Sequence, residues 1–242
     1  MADIEAWKDN ILSRWIYIKS NLCDIQSVKW YPCPVEPNKS DFPVIIRPLI
    51  NLSGMGSEVS IAEDLDEYRE MSCYGYFATP FIEGQHSSHD YILKKGVPTS
   101  ETTFIGHKDS QNTEHVGAFL YWELTKLKEP PTITRNIQLL LNRLTHYSGP
   151  LNIECINGVI IEAHLRNGDN DLICGNKPPL YLVPIWGSIY DEAQERRLDR
   201  ANLLKQPGVI DVVEDTHKIS KTGKFLQRRA LVITKILPES FK

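Results

Sequence analysis

Apolar and polar positions change period several times along the 242-residue chain, and each change marks an element. Residues 3–20 carry Ile4, Trp7, Ile11, Trp15 and Ile18 at spacings of three and four. That spacing predicts one amphipathic helix with both tryptophans on its core face. Residues 31–43, YPCPVEPNKSDFP, repeat proline, which forbids a helix and predicts an extended connector. Short apolar runs then read as strands: 44–46 ending in Arg47, 58–61 after a glycine loop at 49–56, 76–82 with Pro80 at an edge or bend, and 88–93. Acids opening the stretch 62–68 predict a helix there. Between 102 and 123 the pattern is weak, polar at 107–114 and apolar at 116–124. Residues 132–147 give the clearest helix, with Ile133, Ile137, Leu140, Leu141 and Leu144 on one face, Thr132 as its cap, and Ser148, Gly149 and Pro150 as its stop.

Two strand-like runs, 151–156 and 159–164, are joined by Asn157 and Gly158. Asn-Gly between apolar runs is a hairpin signal, because both residues tolerate the positive φ of a type I′ turn. Beyond it come an apolar run at 180–186, a charged helix at 190–204, and strands at 208–213 and 230–236. The last two flank a basic loop with Lys218, Lys221 and Lys224. This order predicts an α+β fold of antiparallel sheets with helices packed on them.

Composition changes the picture little. A content of 41% hydrophobic and 24% charged residues suits a soluble globular protein, and a net charge of −4 excludes a broad basic field for nucleic acid or anionic lipid. No apolar run approaches the roughly 18 residues of a membrane span, and MADIEAWKDN lacks the pattern of a signal peptide. Five scattered cysteines without a CxxC pair argue against a disulfide framework or structural zinc and predict a cytoplasmic protein.

The candidate chemistry sits on the hairpin. Glu154 and Glu162 on its two strands, with His164 and Arg166 following, form an odd cluster for a core hairpin and suit a divalent cation and phosphate. Magnesium takes hard oxygen ligands, and a guanidinium matches a phosphoryl group. Taken singly, Glu154, Glu162 and Arg47 read as surface charges. Their shared hairpin and the upstream strand, glycine loop and strand, which can lay N–H groups over phosphates, set them apart. His86 and His89 of HSSHD face opposite sides of a strand, which argues against a zinc pair.

Two stretches resemble a known family. FPVIIRPLINLSGMGSEVSIAEDLDEY is similar to the phosphate-binding loop of ATP-grasp enzymes, especially the carbamoyl-phosphate synthetase and carboxylase branch, and GPLNIECINGVIIEAHLRNGD is similar to their magnesium hairpin. FIEGQHSSHDYIL resembles the strand past the adenine hinge, and PGVIDVVED and ALVITKI resemble the closing strands. The resemblance implies two α+β subdomains with antiparallel sheets around a nucleotide cleft. Residues 1–40 would be an N-terminal helix and connector, 41–100 a phosphate-loop subdomain and 101–242 a metal-hairpin subdomain. It implies that Arg47 binds the α- and β-phosphates of ATP beneath Ser53, Gly54 and Gly56, with Thr79 near the adenine and His86 near the ribose. Glu154, Glu162 and His164 would hold Mg2+, and Arg166 would face the γ-phosphate.

The implied reaction joins a small-molecule carboxylate to an amine or thiol through an acyl-phosphate, with a homo-oligomer or companion subunit as partner and neither nucleic acid nor membrane. Three positions depart from the family pattern. His164 replaces an asparagine ligand, which favours Mn2+ over Mg2+; His86 replaces a glutamate; Thr79 stands where an acid often reads the adenine. These departures make a catalytically inactive protein with a binding or assembly role, using Trp7 and Trp15 as a surface, the alternative.

Overall fold

The structure, a computed structural model, describes residues 3–50, 52, 59–108, 119–168, 177–188, 203–214 and 226–237. The chain divides into two compact units. The first comprises Met1–Glu101 and Glu129–Gly168, the second Thr102–Lys128 and Asp169–Lys242.

In the first unit the N-terminal stretch is three short pieces rather than the single helix expected: α1 (Asp3–Asp9), a 3-10 helix (Ile11–Tyr17) and α2 (Lys19–Gln26). The break has a local cause. Asn10 leaves helical geometry, and its side-chain amide donates to the carbonyl of Ala6 at 2.8 Å. The tighter 3-10 turn then stacks residues three apart. Ser13 and Ile16 therefore turn inward with Tyr17, while Ile4 and Ile11, assigned to the core stripe by the helical reading, are 51% and 68% exposed. Trp7 and Trp15 pack, partly buried, against the core.

The proline-rich connector follows as β1 (Tyr31–Pro32) and a 3-10 turn. Next come β2 (Val44–Pro48), β3 (Ser60–Ala62), α3 (Leu65–Met71) and β4 (Tyr76–Pro80). They form a four-stranded sheet in the order β1-β4-β2-β3, antiparallel throughout. Asp64 caps α3, accepting from the backbone N–H groups of Asp66 and Glu67 at 3.0 Å each.

A second group of strands opens with β5 (His86–Lys94) and β6 (Val97–His107), whose residues 97–101 belong to this unit. β7 (Tyr121–Glu129) leads into α4 (Arg135–Leu141), which is shorter than expected and capped by Thr134 instead of Thr132. The backbone N–H of Thr132 is engaged elsewhere, donating to Glu101 at 2.7 Å. The hairpin is β8 (Gly149–Ile156) and β9 (Val159–His164), turning at Asn157 (φ 49°) and Gly158 (φ 78°) as the Asn-Gly pair predicts. Within this unit the strand order is β6-β5-β8-β9. The outer edge of β9 is covered by α2, where the Gln26 amide replaces a neighbouring strand. It donates to the carbonyl of Ile160 at 2.9 Å and accepts from its N–H at 2.7 Å. Ala6, Ile16, Leu22, Ile137, Leu140, Leu151 and Ile153 are central to the core beneath.

The second unit holds the rest of β6, β7, β10 (Tyr181–Ser188), β11 (Val209–Glu214) and β12 (Leu226–Thr234), in the order β11-β12-β10-β7-β6. Phe104, Leu124, Leu182 and Leu231 pack in its core. β6 was not anticipated as a strand: VPTSETTFIGH is rich in Thr and Ser, which pack well on a pleated surface yet carry no apolar alternation. Most of 190–204, the loop with Lys218, Lys221 and Lys224, and Cys174 lie outside the described residues. Among the described residues no helix is long and apolar enough to cross a membrane.

Candidate functional site

The hairpin owes its chemistry to one irregularity. Near the turn Ile156 faces Val159 and Cys155 faces Ile160, but the register then shifts and Glu154 faces Glu162. Had the pairing continued unshifted, Glu154 would face Ile161. The extra residue, Ile161, puts both glutamates and the Asn152–His164 pair on one face. The ligand atoms of Glu154, Glu162 and His164 all lie within 4.8 Å of one another.

Strand β2 brings Arg47 to the same hairpin. Its Nη1 donates to the carbonyl of the bulged Ile161 at 3.1 Å, and its guanidinium lies 5.0 Å from the centre of the Phe77 ring, opposite it on β4. Arg47 is only 8% exposed, and its Nε has no hydrogen-bond partner among the described residues. Burial lowers this guanidinium from its ordinary value, and its contact with the Cys23 thiol and the charge of Glu162 offset only part of that. A buried cation with an unsatisfied N–H is unfavourable until an anion reaches it.

The other charges are met from within the chain. Asp3, at the start of α1, accepts from Arg166 through both oxygens, Nε to Oδ1 and Nη2 to Oδ2, each at 2.8 Å. The same Oδ1 lies 3.0 Å from His164 Nδ1. Since a carboxylate only accepts, His164 carries its proton on Nδ1 and turns Nε2 toward Glu162 Oε1, 3.7 Å away. Lys19, at the start of α2 and buried, places its Nζ 3.0 Å from that same oxygen. His86 of β5 meets Glu154 Oε2 at 3.2 Å.

The electrostatics follow from these contacts. Burial alone would raise the Asp3 carboxyl, but the hydrogen bonds and charges of His164 and Arg166 hold it at about 2. For Glu154, burial is likewise outweighed by His86, His164 and Arg166, again giving about 2. Burial works against a charged His164, and Glu162 and Asp3 together more than reverse it, so its pKa lies above the usual histidine value. Two carboxylates and an imidazole fit a divalent cation with some nitrogen affinity, and the unsatisfied Arg47 Nε fits an anion beside it.

The structure therefore gathers Arg47, His86, Glu154, Glu162, His164 and Arg166. His86 contacts a carboxylate of the cluster. Thr79 is buried on β4 opposite Ile45, and Ser53, Gly54 and Gly56 lie outside the described residues. Asp3 and Lys19 were missed. Asp3 is an acid in a first helical turn, which by itself signals nothing; Lys19 carries a usable signal, since it shares a helical stripe with Leu22, Cys23 and Gln26. On the opposite face of β5, His89 joins Ser87 Oγ at 2.9 Å and the buried Glu101 at 3.0 Å. The two histidines of HSSHD thus do face opposite ways.

No protein-family model matches the sequence, and no curated protein does. Among solved structures the chain is similar to an L-amino acid ligase from Bacillus licheniformis, at 12% identity and a TM-score of 0.59 over 92% of this chain and 67% of that one. It is similar to a carboxyaminoimidazole ribonucleotide synthase from Aspergillus clavatus complexed with ATP, at 10% identity and TM-score 0.57 over 92% and 69%. An N5-carboxyaminoimidazole synthase from Aspergillus clavatus, in complex with ADP and 5-aminoimidazole ribonucleotide, gives 10% identity and TM-score 0.59 over 93% and 69%. These likenesses concern the backbone and join the antiparallel sheets and the hairpin in one conclusion: the chain has the ATP-grasp fold.

Proposed function

We propose that the first unit binds ATP and a divalent cation at β2 and the β8–β9 hairpin, and that the protein is an ATP-dependent ligase joining a carboxylate to an amine or thiol. The observation that carries this reading is Arg47: a buried guanidinium with an unsatisfied Nε, beside paired glutamates, asks for an anion. The fold's likeness to an L-amino acid ligase and to nucleotide-bound synthases supports the class of reaction.

In this reading Arg47 binds the α- and β-phosphates under Ser53, Gly54 and Gly56, and Thr79 and His86 line the nucleoside end. Glu154, Glu162 and His164 hold the cation, Mg2+ or, given the imidazole, Mn2+, which supplies positive charge for the phosphates. Arg166 orients the γ-phosphoryl group and keeps its own charge at any working pH. The substrate carboxylate attacks the γ-phosphorus and ADP leaves; the amine or thiol then attacks the acyl carbon, phosphate leaves, and the nucleophile gives up its proton. Positioning and charge neutralisation account for most of the catalysis. A cytoplasmic location and a homo-oligomer or companion subunit go with this reading.

Glu162→Ala tests it. The unaltered protein should gain thermal stability with ATP plus Mg2+ or Mn2+, and the variant should lose that gain while keeping its circular dichroism spectrum. No shift in the unaltered protein sinks the proposal. A second reading, a catalytically silent ATP-grasp fold with a binding or assembly role, is favoured by one observation: Asp3 and Lys19 already neutralise Arg166 and Glu162. An ATPase assay beside light scattering separates the two: ATP turnover belongs to the first, and a stable oligomer that neither turns over nor responds to nucleotide favours the second.

A further inference from the structure

We infer that the N-terminal segment spanning α1 and α2 is a built-in stand-in for the cation and the terminal phosphate, so that both ligands enter only by displacing it. The inference rests on the nucleotide-site reading above. One segment sends two opposite charges to the two complementary halves of one site. Asp3 lays its carboxylate flat on the Arg166 fork, two bonds of 2.8 Å, as a phosphoryl edge would. Lys19 sets an ammonium 3.0 Å from the Glu162 oxygen, where the cation's positive charge is expected. Neither placement is required by the helices themselves. Glu5, two residues on in the same first turn, is exposed, whereas Asp3 is 5% exposed.

The two helices are anchored differently. α2 is fastened to β9 by both bonds of the Gln26 amide and by Leu22 and Cys23 in the core. α1 has seven residues, too few to persist alone; it is held by Ala6 and Trp7 against the core and by the charged contacts of Asp3 at its outer end. Displacement therefore means release of α1 with Asp3, and rotation of the Lys19 side chain on a helix that stays. Arg47 is the complement of this arrangement: its Nε is unsatisfied, so the first phosphates have a seat before Arg166 is uncovered.

Two binding measurements on the full chain test the inference: Mn2+ alone by electron paramagnetic resonance, and ATP with Mg2+ by calorimetry. Removing a competing internal group raises apparent affinity by the reciprocal of the fraction of molecules it had left open. Asp3→Asn should tighten ATP–Mg2+ binding by about tenfold or more, and Lys19→Met should tighten Mn2+ binding to a similar degree. Equal affinities in variants and unaltered protein overturn the stand-in while leaving the nucleotide site in place. Absence of binding in all three overturns the site and the stand-in together. Should Asp3→Asn fail to fold by circular dichroism, hydrogen exchange of residues 3–17 in the unaltered protein decides. Faster exchange at saturating ATP–Mg2+ supports displacement, and unchanged exchange refutes it.

Discussion

Replacing Asp3 by asparagine keeps the side chain's shape, removes its charge and turns one acceptor oxygen into an N–H donor facing Arg166 or His164, so it measures what the carboxylate contributes to the first unit. Folding brings the Asp3 pKa from an ordinary 3.8 to about 2. Each unit is worth about 1.4 kcal/mol, so the shift corresponds to about 2 kcal/mol at neutral pH. Losing one partner of a fully buried pair typically removes about 3–5 kcal/mol. The Arg166 side chain is 23% exposed, and asparagine still accepts a hydrogen bond, which together favour the smaller figure. Because the folded pKa is lowered, the stabilisation is complete above 3.8 and disappears as pH falls through about 2. Urea unfolding followed by tryptophan fluorescence should therefore show Asp3→Asn less stable by about 2 kcal/mol at neutral pH, roughly a thirtyfold change in the folding equilibrium. The gap should narrow toward zero near pH 2. A neutral-pH difference below about 0.5 kcal/mol, the range of ordinary surface changes, refutes the reasoning. So does a gap that acid leaves unchanged.

Three further outcomes are expected. Arg47→Met should leave stability unchanged or raise it by about 1 kcal/mol, since a buried, partly unsatisfied charge is exchanged for apolar atoms, and should abolish ATP binding; a large stability loss contradicts the account of Arg47. Gly158→Ala forces a side chain into φ +78° in open space and should destabilise by about 1 kcal/mol in urea titration, with no effect on ligand affinity. Burial, then the neighbouring Glu154 charge, pushes the Cys155 thiol up to about 12, so iodoacetamide at mildly alkaline pH should modify exposed Cys73 and spare Cys155, read by peptide mass.

The hairpin was legible because its signals are local. Asn157 and Gly158 set the turn, and the acids sit at fixed offsets from it. The strand bearing Arg47 and the helix at α3, announced by its acidic first turn, were readable for the same reason. What escaped notice depended on competition or distance. Asn10 diverts its own backbone, which no apolar periodicity reports, so one expected helix is three pieces. The bulge at Ile161 leaves no mark in composition, yet it turns Glu154 toward Glu162. Asp3 lies 163 residues before Arg166, and a contact of that separation is invisible to any window moved along a chain. Thr134 rather than Thr132 caps α4, its hydroxyl accepting from the Ile137 N–H, while Thr132 is tied by its own N–H to Glu101, a residue on a strand the pattern did not reveal.

A crystal structure with a non-hydrolysable ATP analogue and Mn2+ tests the central claim most directly. The account predicts anomalous density for manganese between Glu154 and Glu162, a phosphate oxygen within hydrogen-bond distance of Arg47 Nε, and Asp3 withdrawn from Arg166. Nucleotide bound elsewhere, or a site still closed by Asp3 and Lys19 with Arg47 unpaired at saturating ligand, contradicts it.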